Sequence, residues 1–478
     1  MIHHIKWSFI AQIGCSGLSI LFTLLIMNVL DPLDYGLIGM ILPLYIFGGM
    51  MANFAQDRSI IAAEDIDRET LSSLFWIKTI FAMVIAVLLL LTKPWIIEFY
   101  AEPKLNIIII WFAVLLIFQS FSDVYKAILY RCFSFKALAL IEIFTIGCSG
   151  LVGYLLALYG WGFHALIAKE VLSVFLMFVL MVLVSKWRPY FSISWIKVKK
   201  HWTFGKNVTT ARLMNYFSRN LDDILVGKKF GSSPLGIYSK SYSLLTLPLT
   251  LISKSFLTAT LPSMPHLRND KDRANEMYLK VVRSVLLLNT PLCIILFFGA
   301  EDIVNLLLPS VWDETVPLIH LFCVLSSIQA IGPLNDLIYE GMDHTDKIVQ
   351  YTIISHLITI SGILMGYLFG ANVFELATFY VVGNFLTFFT NQYFVHRMTT
   401  INIRRLLSNM APYFILAIIA SIIQLFTLSF FSVHNPLLHL AIVTTISIVF
   451  FYAPMTILFP NQFSELKSTL LKLIPSIK

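Results

Sequence analysis

Hydrophobic residues in this chain come in long unbroken blocks, not at the two-residue spacing of strands or on one stripe of a surface helix. Blocks of roughly twenty apolar residues recur at 9–29, 37–56, 73–93, 105–125, 138–158 and 163–185. They resume at 207–228, 235–259, 284–307, 315–337, 350–369 and 373–395, and end with 409–431 and 438–459. A helix of about 20 residues rises about 30 Å, enough to cross the hydrocarbon core of a bilayer. The pattern predicts an all-α polytopic membrane protein with about fourteen transmembrane helices. The connections are short. The two longest, 186–206 and 260–283, are basic, and the first follows six spans and precedes six more. This spacing predicts an N-lobe over 1–185, a cytoplasmic basic linker over 186–206, a C-lobe over 207–396, and a terminal helix pair with a cytoplasmic tail over 397–478. Transporters are often built from such repeated halves. The linker mixes Trp187, Tyr190, Phe191 and Trp195 with lysines, a composition suited to the membrane surface.

Composition agrees with the block pattern. Hydrophobic residues make up 58% of the chain and charged residues 13%, where soluble domains carry about 25% charged residues. Mean hydropathy is +0.81, too apolar for 478 residues to bury in one aqueous core. The net charge of +7 would suggest nucleic acid in a soluble protein. Here the charges sit in short loops and act as topology signals, so no nucleic-acid partner is expected. With the N-terminus in the cytoplasm, the Lys and Arg outside the spans fall almost wholly at cytoplasmic ends. Lys93, Lys104, Lys228 and Lys229 are the exceptions. Both termini are therefore expected in the cytoplasm. MIHHIKWSFI leads into the first block with no small-residue cleavage site behind it, so a membrane helix is expected there and not a cleaved leader. Cys15, Cys132, Cys148, Cys293 and Cys323 are scattered, with neither disulfide nor metal spacing.

One stretch breaks the apolar pattern. Between Val208 and Gly231 the chain reads VTTARLMNYFSRNLDDILVGKKF. Arg212 and Arg219 are seven apart and share a helix face, with Asn215, Tyr216, Asp222 and Asp223 near it. A helix with a polar stripe is expected, and an arginine or aspartate at the centre of a span costs about 2.5–3.5 kcal/mol against lipid. The stripe must face the bundle interior or a watery cavity. Arg219 can pair with Asp222 or Asp223 one turn on, fixing the helix, or the stripe can serve transport; the two roles are compatible. Further candidates are Lys169 and Glu170, with His164 nearby, then Lys240 and Lys254, Glu142, Asp123 and Asp336. Lys240 and Lys254 lie on one face, about 21 Å apart in height. Lys78 and Lys254 are expected to snorkel towards water, an explanation that fits Lys169 less well. The cations among these groups favour an anionic substrate over a cationic one. Pro43, Pro248, Pro291, Pro317 and Pro333 interrupt spans and bend helices.

No phosphate-binding G-x-x-x-x-G-K-[ST] loop, H-E-x-x-H, EF-hand or G-x-S-x-G motif occurs, and the 11 histidines lack ligand spacing. No catalytic residue, metal or cofactor is expected, and the short outer loops argue against an enzyme.

The residues DYGLIGMI at 34–41, RNLDDILVGKKFGSSPLGIYSKSYSLLTLPL at 219–249 and TATLPSMPHL at 258–267 resemble the polysaccharide transporter family of the multidrug/oligosaccharidyl-lipid/polysaccharide exporter superfamily. Within it the chain resembles the colanic-acid-type lipid-linked oligosaccharide flippases of lipopolysaccharide and capsule biosynthesis. The likeness runs over the whole chain, though NFAQDRSIIAAEDIDRET at 53–70 replaces a region that is glycine-rich in the family. The resemblance implies a MATE-like fold whose two lobes surround a central cavity. It implies a flippase in the bacterial inner membrane that carries undecaprenyl-diphosphate-linked oligosaccharide between leaflets. A drug or small-solute exporter of the same fold is the alternative. For a flippase, Arg212, Arg219, Lys240 and Lys169 would hold the headgroup diphosphate. Tyr216, Tyr238 and Tyr242 would line the sugar's path. Asp222, Asp223, Glu142 and Glu170 would orient the cations or couple transport to a proton or sodium ion. Contact with polysaccharide polymerase machinery would be a further partner.

Overall fold

A computed structural model describes the chain apart from residues 1, 54–56, 58–59, 62–65, 268–269, 340–344, 400, 431–434, 459 and 461–478. Within helices it also leaves out the side chains of 2–6, 8–10, 197, 200–212, 214, 247–251, 259, 262, 265 and 345–350. Among the described residues the secondary structure is helical, with no strand. In order the helices are α1 (Ile2–Met27), α2 (Pro32–Asn53), α3 (Arg68–Tyr100), α4 (Leu105–Arg131), α5 (Phe135–Leu158), α6 (Phe163–Val184), α7 (Trp195–Phe230) and α8 (Ser232–Thr260). They continue as α9 (Lys271–Phe298), α10 (Ala300–Leu307), α11 (Thr315–Gln329), α12 (Asp336–Tyr339), α13 (Thr345–Phe369), α14 (Val373–Met398), α15 (Ile403–Phe430) and α16 (Pro436–Leu458).

Eleven described segments are long and apolar enough to cross a membrane, with α11 and α12 counted as one. The other long helices, α1, α7 and α8, fall at the remaining predicted blocks. Helices dominate because lipid offers no hydrogen bonds, so each spanning segment must satisfy its backbone internally. Where helices end in water, side chains take over. Asp67 accepts from the Thr70 amide at 2.9 Å before α3, and Asp270 accepts from the Arg273 amide at 3.1 Å before α9. At α14, Asn372 accepts from the Glu375 amide while Glu375 accepts from the Ala371 amide at 2.7 Å, close to a reciprocal capping box.

The helices outrun the hydropathy blocks. Residues 195–206 and 271–283, expected in loops, are the first turns of α7 and α9. The hydropathy window detects the part of a helix that meets lipid, and an amphipathic helix continues beyond it into water. On α9, Asp272 and Arg273 are exposed while Ala274, Asn275 and Tyr278 are buried. The block at 284–307 is likewise two helices, separated at Gly299.

The chain divides into two compact units, Met1–Gly236 and Ile237–Lys478. In the first, α3 packs on α4, α1 and α6 flank α5, and α7 lies against α2 and α3. An aromatic cluster of Phe75, Phe121, Tyr125 and Phe178 is closed by Trp187, whose ring lies 5.3 Å from that of Tyr125. The segment carrying Trp187 is strapped to the start of α3. The Ser194 amide donates to Ser73 Oγ at 3.0 Å, and Trp76 Nε1 donates to the Tyr190 carbonyl at 3.0 Å. The surface-lying linker expected from its composition is thus partly docked, with Phe191 (77% exposed) and Ile196 (89%) left outward. In the second unit, α13 and α14 pair closely, α9 packs on α11 and α15, and α16 lies on α15 and α10. Small residues allow the α13–α14 approach: a Cβ at Gly362 would lie 2.9 Å from the Phe379 carbonyl oxygen. Hydrogen bonds cross the same pair, Ser355 to Asn391 at 2.6 Å and Thr359 to Thr387 at 3.1 Å.

The tightest approach joins the starts of α2 and α8, where the family-like residues of 34–41 and 219–249 lie. A Cβ at Gly36 would fall 1.6 Å from the Ser232 carbonyl oxygen, and one at Gly236 would fall 1.9 Å from that of Pro32. Both obstacles are backbone and cannot swing aside. Gly36→Ala and Gly236→Ala should each lower the melting temperature of the detergent-solubilised protein, at or beyond the top of the about 1–3 kcal/mol typical of overpacking. Gly17→Ala, where nothing lies within 4 Å of the added Cβ, should leave it unchanged.

Candidate functional site

Charged side chains gather inside the first unit. Asp123 and Lys126 sit one turn apart on α4 and reach in two directions. Lys78 of α3 donates to Asp123 Oδ2 at 2.7 Å, and Lys126 pairs with Glu142 of α5 at 2.7 Å. Lys78 is 1% exposed. The expectation that it snorkels is therefore wrong: the start of α3 lies inside the bundle, where a paired carboxylate is the cheaper solution. On α6, Lys169 bonds Glu170 at 3.2 Å, and its stem lies against Gly153 of α5, where a Cβ would meet Lys169 Cβ at 2.8 Å. Tyr45 of α2 stands within electrostatic reach of both Glu170 and Asp123. Gln119 of α4 has a buried Oε1 without a hydrogen-bond partner, 3.7 Å from where a Cβ at Gly49 would be.

Helix α7 confirms the helical reading of the polar stretch and divides its residues between two faces. Tyr216, Ser218 and Asp222 are buried, while Asn215 and Arg219 are exposed. The Tyr216 hydroxyl donates to the Pro43 carbonyl at 2.7 Å and its ring meets Phe47, so this tyrosine fastens α7 to the proline-interrupted turn of α2. Asp223 is close enough to Tyr100 and Tyr216 to act on both electrostatically. Among the ion pairs of the described residues, none involves Arg219. Arg219 stands exposed with Asn215 on α7. The side chain of Arg212 lies outside the described residues. At the end of α7, Lys228 donates to the Phe99 carbonyl and lies 4.7 Å over the Phe99 ring, which ties α7 to the end of α3.

The second unit sets neutral polar groups beside charged contacts: His439 Nδ1 meets Asp302, Arg405 pairs with Glu276, and Arg283 donates to Asn409 Oδ1 at 2.8 Å. Lys240 of α8 is half-buried, and Tyr238 is 1% exposed with its ring edge-on to Phe322 at 5.5 Å. Beyond them the interior holds amides, hydroxyls and tyrosines. The Tyr278 hydroxyl donates to Asn335 Oδ1 at 2.8 Å, and Tyr242, Gln329, Tyr380 and Asn384 form a connected group. Of the predicted residues, Glu142, Lys169 and Glu170 join partly exposed ion pairs of the first unit, and Arg219, Asp222 and Asp223 share α7. Tyr216 and Tyr238 are packed into walls.

Sequence reasoning missed Lys126, because the apolar block ended at 125 and left it looking like a loop lysine. The Asp123–Lys126 spacing of one helical turn carries the signal. It also missed the stripe Tyr380, Asn384, Thr387 and Asn391 on α14, whose helical spacing marks one face.

An all-α chain of this length, with charged pairs inside one bundle and an interrupted helix in the other, has the architecture of a polytopic membrane transporter. It belongs to the polysaccharide biosynthesis protein family, whose pattern it matches over residues 26–317. The succinoglycan biosynthesis transport protein ExoT of Rhizobium meliloti (strain 1021) is 20% identical to it over 436 residues, covering 91% of this chain and 87% of that one. Among solved structures, the lipid II flippase MurJ in an inward closed conformation superposes with a TM-score of 0.74 at 16% identity, over 97% of this chain and all of that one. An inward-facing multidrug resistance MATE family transporter gives a TM-score of 0.60 at 13% identity, over 80% of this chain and 95% of that one. The fold is therefore MATE-like, as the resemblance implied.

The Lys78–Asp123 pair permits a stability test. Lys78→Met alone strands a carboxylate and should destabilise by about 3–5 kcal/mol, whereas Lys78→Met combined with Asp123→Leu should recover most of that loss. Thermal unfolding in detergent compares the two. Equal loss in both variants would refute the pairing argument.

Proposed function

We propose that this protein translocates undecaprenyl-diphosphate-linked oligosaccharide repeat units across the bacterial cytoplasmic membrane for surface polysaccharide synthesis. The observation that carries the reading is the exposed Arg219 of α7, outside the ion pairs of the described residues, in a unit that also carries Lys78, Lys126 and Lys169. A diphosphate is the anion this arrangement suits, since guanidinium and ammonium groups match phosphate oxygens in charge and hydrogen bonding. The family match supports a polysaccharide cargo, and the MATE-like fold supports transport over chemistry.

In this reading Arg219 and Arg212 meet the diphosphate from α7, with Lys169 as a further cation of the same unit. Asp222 and Asp223 hold the polarity of α7. The polyprenyl tail stays in lipid while the headgroup crosses. Glu142 and Glu170, each beside a lysine, are the carboxylates through which a proton or sodium gradient would act. One charge moved through 100 mV supplies about 2.3 kcal/mol. Both termini lie in the cytoplasm, following the Lys/Arg bias, and contact with the polysaccharide polymerase would follow delivery to the outer leaflet.

The test uses a strain lacking this protein and asks on which leaflet its lipid-linked oligosaccharide resides. Accumulation on the cytoplasmic leaflet, cured by wild type and at least about tenfold less well by Arg219→Ala, is expected; removing one charge-assisted contact of about 1.5–3 kcal/mol is worth that much. Arg219→Lys should rescue partially, keeping charge but not the planar fork. Normal sidedness and normal surface polymer without the protein would refute the flippase. Sensitivity to organic cations in the same strain would then point to a drug exporter.

A further inference from the structure

The span Thr315–Tyr339 does not run as one helix. Helix α11 stops at Gln329, a 3₁₀ turn covers Gly332–Asn335, and α12 resumes at Asp336. Interrupted helices at membrane depth are tolerated where the backbone is buried in protein or lines a watery cavity, and in transporters they commonly build substrate sites. Space is left at this break: a Cβ added to Gly332 would meet nothing within 4 Å.

Gln329, the last residue of α11, stands in a ring of uncharged hydrogen-bonding groups. Tyr242 of α8 donates to its Oε1 at 3.3 Å. Its Nε2 reaches Asn384 Oδ1 at 3.3 Å and the Tyr380 hydroxyl at 3.5 Å, both on α14. The Tyr380 hydroxyl closes the ring onto Tyr242 at 3.4 Å. All four contacts are longer than the usual 2.7–3.2 Å of such bonds. Nearby bonds in the same unit are not stretched: Ser253 to the Ala330 carbonyl is 2.9 Å, Ser355 to Asn391 is 2.6 Å and Tyr278 to Asn335 is 2.8 Å. Gln329, Asn384 and Tyr242 are half-buried, not sealed in the core. Partly exposed polar groups within membrane spans almost always face the bundle interior or a water-filled cavity. The Tyr242 ring packs edge-on against the buried rings of Phe322 at 5.3 Å and Tyr380 at 6.2 Å.

We infer that Tyr242, Gln329, Tyr380 and Asn384 form a subsite for the neutral, hydroxyl-bearing sugars of the substrate. Each amide offers both a donor and an acceptor, which is what sugar hydroxyls require. The long contacts among these side chains are readily exchanged for ligand bonds. The absence of formal charge within the group disfavours the diphosphate there. This rests on the flippase reading and deepens it by naming the part of the substrate that this group of the second unit reads.

The experiment reconstitutes the full-length protein in liposomes and follows two probes. One is the undecaprenyl-diphosphate-linked repeat unit extracted from the strain lacking this protein. The other is undecaprenyl diphosphate bearing only the first sugar. Gln329→Leu and Asn384→Leu should each slow the full repeat unit about tenfold, the worth of one or two lost hydrogen bonds. They should slow the single-sugar probe less than about twofold. Tyr242→Phe keeps the ring and its packing while removing one hydroxyl, and should shift the ratio of the two rates the same way. It carries the test if the leucine variants do not fold. Equal slowing of both probes by Tyr242→Phe and the folded variants would make the group structural and overturn the subsite. No slowing of either would overturn it as well. Failure of the wild type to move either probe would instead overturn the flippase reading, and the subsite with it.

Discussion

The lack of water in a bilayer governs this structure. A backbone group or a charge at membrane depth must find its partner within the protein or face a watery surface. Long helices answer the first demand. The second is answered differently in each unit. In the first, Lys78 with Asp123, Lys126 with Glu142 and Lys169 with Glu170 pair opposite charges across or along helices. In the second, neutral bonds such as Tyr278 to Asn335 and Ser355 to Asn391 stand beside the His439–Asp302 contact and the Arg283–Asn409 bond.

That contrast carries functional weight. Breaking a buried ion pair costs far more than exchanging one neutral hydrogen bond for another. A charged bundle is therefore electrostatically committed, and it favours an anionic ligand wherever a cation such as Arg219 is left for it. A neutral polar group such as the ring around Gln329 is adaptable, and suits ligands recognised by many weak hydrogen bonds.

The residues that most resemble the polysaccharide transporters have a physical reason to be what they are. Gly36 and Gly236 permit backbone contact between the starts of α2 and α8. Tyr216 holds α7 to the carbonyl of Pro43, and Lys228 caps its far end on Phe99. The family-like stretches are therefore the fastening points of α7 and α8 on their neighbours, and the polar stripe of α7 is carried between them.

The sequence by itself determined the class, the places of the eleven apolar spans among the described residues, and the helical nature of the polar stretch around Arg219. These depend on periodicity and on transfer energies that each segment feels alone. Helix ends were less legible, because amphipathic turns such as Lys271–Arg283 lie beyond what hydropathy detects. The partners of charges were not legible: Lys78 looked like a lysine reaching for water, and only the packing of α3 on α4 brings it to Asp123. The same holds for the ring around Gln329, drawn from α8, α11 and α14. A single segment determines what it costs to bury its own groups, but which group relieves that cost depends on neighbours that only the tertiary structure supplies.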